Sequence, residues 1–185
     1  MTHSRDAVAS GADLAALLAR LAAALGPDAP AVDDFLLRWA ALLPGLPAAA
    51  PGWPGLAAQV QAALAAPPTG GAVPAADGPA DEPDVCGPDD LAALLEVLAA
   101  DFARHRTATA TATAATTERP GAARQPADSW AHHTLPDVLE SWAAWLTASP
   151  GRPQPLGLPP VEPVTWASVA VQVLAARGGF RRPPA

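Results

Sequence analysis

Two adjacent histidines, His132 and His133, are the paired side chains of this chain that point most directly to ligand chemistry. Imidazole nitrogens bind zinc, and Asp128 and Asp137 lie near enough in sequence to complete such a site. Neighbouring residues point in different directions on a helix, however, and two histidines alone make a poor zinc site. The alternative is a polar loop before a capped helix, with one histidine bonded to a helix terminus. We therefore expect no bound metal and no other cofactor.

The other reactive side chains lack the neighbours that catalysis requires. Cys86 and Ser168 have no adjacent histidine and acid in the sequence pattern, so nucleophilic catalysis is not indicated. The paired carboxylates Asp33-Asp34 and Asp89-Asp90 fall in the first turns of predicted helices, where negative charge meets the positive end of the helix dipole. The sequence therefore predicts a protein that is not an enzyme.

Composition limits the partners and the compartment of the protein. The net charge of the 185 residues is −7, and the 11 basic residues are arginines scattered along the chain, apart from Arg181-Arg182. Phosphate binding requires clustered basic residues, so nucleic acid is not an expected partner. Cys86 is the one cysteine, which excludes an internal disulfide and favours the cytoplasm. No apolar run approaches the roughly 18–20 residues that span a membrane, so no membrane association is expected.

Apolar residues recur at spacings of three and four, which predicts an all-α protein. We expect about six main helices, over residues 12–25, 32–43, 53–65, 89–105, 135–147 and 166–177. Ser10 with Asp13 and Thr134 with Asp137 have capping-box spacing at the starts of two of them. The chain also contains 23 prolines and 14 glycines, which predicts long Pro/Gly/Ala-rich linkers between helices.

Three segments occur twice in the same order. Residues 13–25 match 90–102, residues 32–43 match 135–146, and residues 53–63 match 166–176. The second match aligns Trp39 with Trp142. The third aligns Trp53 with Trp166 and Gln59 with Gln172. The sequence therefore predicts a tandem duplication of a three-helix module.

The predicted domains follow from this repeat. The first module covers residues 1–66, a flexible linker covers 67–87, and the second module covers 88–180. The second module carries an insertion at 107–129 that begins with alternating threonine and alanine and is expected to be disordered, and 181–185 form a tail. A module of about 55 residues is only marginally stable alone, so we expect the modules to bury the tryptophan pairs against each other through pseudo-twofold packing.

The second module, over roughly residues 89–180, resembles the DUF7660 family of small bacterial proteins. The residues that carry this resemblance are Trp130-Ala-His-His-Thr134-Leu135, Leu139-Glu140, Trp145-Leu146, and Trp166 with Leu174-Ala-Ala-Arg177. Two departures are His132-His133, where the family tends to have asparagine, and Gly178-Gly179-Phe180, which replaces a closing aromatic-acidic pair. The resemblance implies a bacterial helical protein but no activity.

These observations favour a non-enzymatic protein-binding module, of which an immunity or antitoxin-like role is one version. Trp130 has no counterpart in the first module, and it is expected either to fold back onto the start of the helix at 135–147 or to form an exposed anchor for a partner. The candidate partner-binding residues are Trp130, His132, His133, Thr134, Glu140 and Trp145. The alternatives are a metal-dependent factor or enzyme using His132 and His133, and a structural scaffold or homodimer.

Overall fold

The computed structural model of the protein describes residues 8–26, 29–69, 85–115, 130–148 and 164–178. All regular structure in these ranges is helical, which confirms the all-α prediction. The helices are α1 (Gly11–Ala24), α2 (Val32–Leu42), α3 (Gly52–Ala65), α4 (Pro88–Ala115), α5 (Leu135–Ala148) and α6 (Trp166–Arg177). The predicted tail at 181–185 and most of the predicted linker, from residue 70 to residue 84, lie outside the described residues.

Helix α4 is longer than the sequence pattern indicates. The threonine-alanine run after residue 106 was expected to be disordered, but its first part, up to Ala115, continues the helix. The Thr107 and Thr111 hydroxyls donate to the carbonyl oxygens of Ala103 and Thr107, at 2.9 and 3.0 Å. These bonds satisfy the hydroxyls within the helix, and alanine has the highest helix propensity of any residue. The rest of the predicted insertion, residues 116–129, lies outside the described part of the chain.

Side-chain caps fix the starts of three helices. At α1, the Asp13 amide donates to the Ser10 hydroxyl oxygen at 3.3 Å, while the Asp13 carboxylate accepts from the Ala9 amide at 3.1 Å. Thr165 and Ser168 form a capping box at the start of α6. Each cap satisfies amides that have no partner within the helix, and the two caps predicted at α1 and α5 are confirmed.

The helices of the two halves are interleaved. We call α1–α3 the first half and α4–α6 the second half. Helix α1 packs on α5 and helix α2 packs on α4, whereas α1 does not contact α2 and α4 does not contact α5 among the described residues. The third helix of each half packs on the second helix of its own half. The predicted modules are therefore not separate bundles: their apolar side chains form one continuous core.

A stacked pair of tryptophans lies where the two halves meet. The Trp39 and Trp142 rings are 5.6 Å apart between centroids, with 22° between their planes. The Trp39 indole donates to the Gln59 side-chain oxygen at 3.2 Å, and the Trp142 indole donates to that of Gln172 at 3.1 Å. These are the residues that the repeat aligns, so the equivalent contacts support the duplication, which remains an inference from sequence.

The two tryptophans of the second aligned pair do not make equivalent contacts in the two halves. Trp53 and Trp166 are both buried in the common core. The Trp166 indole donates to the carbonyl oxygen of Ala48, between α2 and α3, at 2.9 Å. Trp53 lies under the start of α1, where a Cβ atom on Gly11 would come within 3.2 Å of its ring. The absence of a side chain at Gly11 therefore lets α1 approach this ring closely.

The paired carboxylates at the start of α2 form ion pairs with arginines. Asp33 is buried and binds Arg106 of α4 at 2.9 Å, which ties the halves together. Asp34 pairs with Arg38 and also accepts hydrogen bonds from Thr69. Burial alone would raise the pKa of Asp34, but the hydrogen bonds from Arg38 and Thr69 together lower it. The helix-end explanation predicted for this pair is therefore incomplete.

The bond between Trp142 and Gln172 gives a prediction about stability. Trp142→Phe should lower the free energy of unfolding by about 2–4 kcal/mol, because it removes ring volume and leaves a buried amide oxygen without its donor. Gln172→Leu, added to that variant, should restore part of the loss, because the unpaired oxygen is then absent. Urea unfolding of the two variants and the original protein checks this. A double variant less stable than Trp142→Phe would contradict it.

Candidate functional site

The segment 130–134, just before α5, packs between α4 and α6. Trp130 is only 1% exposed. Its indole N–H donates to Asp101 at 2.9 Å, and its ring meets that of Phe102 edge to face, with centroids 4.9 Å apart. The Arg177 guanidinium lies over the indole, 5.9 Å from its centroid. The segment is thereby anchored to the late part of α4 and to the end of α6.

This placement corrects one expectation for Trp130. The ring is buried against Asp101 and Phe102 of α4 and Arg177 of α6, so it does not present an exposed aromatic surface. The physical reason is that a tryptophan gains most from burial when its N–H finds a partner, and Asp101 supplies one beside the apolar ring of Phe102. Trp145 is also buried, at 6% exposure. Neither indole is available to a partner in this conformation.

Asp101 joins the charged groups of this region. Besides the Trp130 indole, its carboxylate pairs with Arg177 at 2.8 Å and with Arg104 at 3.5 Å. We call the group formed by these residues and two histidines the polar cluster: Asp101, Arg104, His105, Trp130, His133 and Arg177.

The histidines of the polar cluster are stacked. The His105 and His133 rings have centroids 5.3 Å apart and an angle of 12° between their planes. Burial lowers the pKa of His105, the nearby His133 and Arg177 lower it further, and Asp101 partly opposes them. The lowered pKa favours the neutral form of His105 at pH 7. The sequence pattern did not single out this histidine.

The geometry gives no support to a metal site at the predicted histidine pair. Among the described residues, no group of three or more histidine, cysteine or acidic side chains could hold an ion. The ring of His133 lies nearly parallel to that of His105, with 12° between the planes, and the nitrogens of parallel rings do not converge on one point. His132 is half-buried, and its Nε2 atom is buried without a hydrogen-bond partner in the described structure.

The polar cluster occurs only in the second half. In the aligned repeats, Ala24 stands at the position of Asp101, and Leu64 stands at that of Arg177. The two halves share the tryptophan-glutamine contacts of the core but differ at these two positions. Comparing the aligned copies position by position could have found Asp101 and Arg177 in the sequence.

A second feature is a groove between α1 and α5. It has a volume of about 510 Å³ and is open to solvent. Its walls are mostly alanine, with two polar side chains on α5, and the lining residues are Ala12, Ala15, Ala16, Ala19, Glu140, Ala143, Ala144 and Thr147. The exposed Glu140 carboxylate, one of the predicted partner-binding residues, therefore stands beside a surface of small apolar side chains.

Thr134 and His133, two other predicted partner-binding residues, are not part of the groove lining. Thr134 is exposed and caps α5: its hydroxyl donates to the Asp137 carboxylate at 2.6 Å and accepts from the Asp137 amide at 3.4 Å. Its position is thus explained by helix capping. His133 is exposed on its outer side while it stacks on His105. Of the predicted partner-binding residues, His133, Thr134 and Glu140 are exposed.

Comparison with known proteins returned no match to a protein-family model, a curated protein or a solved structure. In the described part of the chain, no helix has both the length and the apolar character that crossing a bilayer requires.

The role of Asp101 gives a second prediction. Asp101→Ala should lower the free energy of unfolding by about 1–3 kcal/mol, because it leaves the buried Trp130 indole N–H without an acceptor. Glu96→Ala, an exposed carboxylate on the same helix, is the matched control and should change stability by less than about 0.5 kcal/mol. Thermal or urea unfolding measures both, and equal effects would show that the Asp101 contacts do not stabilise the segment.

Proposed function

We propose that the chain is a non-enzymatic protein-binding module whose α1–α5 groove receives an amphipathic helix with basic side chains from a partner protein. The observation that carries the proposal is the open alanine-lined groove with the Glu140 carboxylate on its wall. No contact within the described chain fills this surface, and its chemistry combines a small-residue floor with negative charge.

The shape of the groove suits a helix. Alanine side chains are short, so the backbone of a docked helix can approach α1 and α5 closely and place larger apolar side chains between them. Amphipathic helices commonly bind apolar grooves through residues spaced by three and four. A helix of about two turns would span the lining from Ala12 and Thr147 at one end to Ala19 and Glu140 at the other.

The charge of the residues around the groove indicates which kind of partner helix would bind. Asp137 and Glu140 are exposed and lie three residues apart on α5, so both carboxylates share one face. The net charge of the whole chain is −7. A complementary partner carries lysine or arginine beside its apolar stripe, since opposite potentials speed encounter and fix orientation.

Some narrower interpretations from the sequence belong to this proposal. A bacterial immunity or antitoxin-like role is one concrete form of it, because such a protein acts by occupying a surface of its partner. Membership of the DUF7660 family, the duplication and a cytoplasmic location are inferences from sequence. A metal-dependent or enzymatic role at His132 and His133 has no observation in its favour.

The test is affinity capture from native cell lysate with matched variants. Ala144→Trp fills the groove and Glu140→Lys reverses the charge on its wall, so each should reduce capture of a specific partner about tenfold or more. Ala41→Trp and Glu96→Lys make the same changes at exposed positions on α2 and α4 and should leave capture unchanged. Circular dichroism confirms that all four variants are folded.

Two results would contradict the proposal. One is capture of the same proteins in equal amounts by the groove variants and their controls. The other is capture of no protein specific to the original chain over a charge-matched reference. A captured protein should in addition shift the amide resonances of α1 and α5 more than those of α3.

A further inference from the structure

The most extensive helix-to-helix contacts among the described residues join the two halves of the chain. Helix α1 packs on α5 and α2 packs on α4, whereas α1 and α2 of the first half do not touch each other. The apolar face of each of these helices is therefore covered by a helix from the other half. A half without its counterpart would expose that face to water, and helices of this length depend on such burial for their stability.

Specific polar contacts also cross between the halves. The Arg106 guanidinium of α4 binds the buried Asp33 carboxylate of α2 at 2.9 Å. The Trp166 indole of α6 donates to the carbonyl oxygen of Ala48, between α2 and α3, at 2.9 Å. These contacts define one orientation in which the halves fit together. The surface of each half is therefore a binding site whose specific ligand is the other half.

The contacts between the halves do not require that both halves belong to the same chain. The halves are connected through residues 70–84, which lie outside the described part of the chain and supply none of these contacts. Connections of this length commonly hold two binding modules at an effective concentration of about the millimolar range. A second copy at a comparable concentration therefore competes with the chain's own second half for the same surface.

We infer that two copies of the chain exchange halves when they fold together at high concentration, so that the first half of each copy packs on the second half of the other. Each contact between halves then occurs twice in the dimer, with the partner copy supplying one side of it. The α1–α5 groove is also formed twice, with α1 from one copy and α5 from the other. The inference does not require that this groove binds another protein.

The ion pair between Asp33 and Arg106 provides a direct test in the full chain. Asp33→Arg opposes two arginines and Arg106→Asp opposes two carboxylates, so each variant alone has like charges at this contact. A dimer in which the two variants exchange halves has one original pair and one reversed pair, with no like charges opposed. The double variant, with both substitutions in one chain, has the reversed pair within a monomer and shows whether that pair is tolerated.

The two single variants are mixed in urea, refolded together at about 1 mM and separated by size-exclusion chromatography with light scattering. Native mass spectrometry should show a dimer of unlike chains that exceeds the two like-chain dimers by about tenfold or more, because each like-chain dimer has two repulsive contacts. This dimer should unfold at a higher urea concentration than either variant refolded alone. Monomers only, or random pairing of like and unlike chains with no gain in stability, would overturn the exchange.

The original chain gives a measurement that does not depend on the charge variants, and it decides the question if the double variant does not fold. Refolding at about 1 mM should give a dimer, whereas refolding at about 1 µM should give a monomer, because the connection within one chain then outcompetes the second copy. The isolated dimer should persist after dilution, since its halves separate only when the core unfolds. A dimer that dissociates at once on dilution, or no dimer at the higher concentration, would contradict the inference.

Discussion

The stack of Trp39 on Trp142 is the contact on which the rest of the structure depends. Each half supplies helices of 11–14 residues around it, apart from the longer α4, and helices of that length are marginal in water without tertiary contacts. The apolar face of α1 is covered by α5, and that of α2 is covered by α4. Neither half can therefore complete a core from its own first two helices. We expect the chain to fold as one cooperative unit, with Gln59 and Gln172 fixing the orientation of the two indoles.

The two halves share this core but differ in their charged residues and in the contacts that those residues make. In the first half, Asp33 and Asp34 bind arginines. Asp34 also accepts hydrogen bonds from Thr69, which follows α3. The second half has the polar cluster, in which Asp101 pairs a buried indole with two arginines. A buried donor must be paired or its desolvation lowers stability. The carboxylate that accepts from Trp130 also partly opposes the lowering of the His105 pKa, which burial mainly causes.

Much of the helical structure could be predicted from sequence, because the spacing of Leu, Val and Trp specifies which face of each helix is buried. Capping residues such as Ser10 and Thr134 also act locally, so their role is readable from spacing alone. Periodicity does not specify which helix covers a face, and the pairing of α1 with α5 could not be derived from it. The alternation of threonine and alanine resembles a strand, yet Thr107 and Thr111 bond within a helix.

The candidate site was predictable only in part. Trp130, His132 and His133 were visible as unusual residues, but their partners Asp101, His105 and Arg177 come from distant helices. Residues 116–129 separate Trp130 from the end of α4, and no local rule indicates where a chain returns after such a length. The alanine groove was equally hidden, because it forms only when α1 and α5 are adjacent.

A double-mutant cycle on Trp39→Leu and Trp142→Leu tests whether the two halves share one core through their tryptophans. Unfolding free energies of the original chain, both single variants and the double variant give the coupling between the two rings. Direct stacking predicts that the double variant loses about 0.5–1.5 kcal/mol less than the sum of the single losses. Strictly additive losses would show that the rings do not interact, and would contradict the shared core.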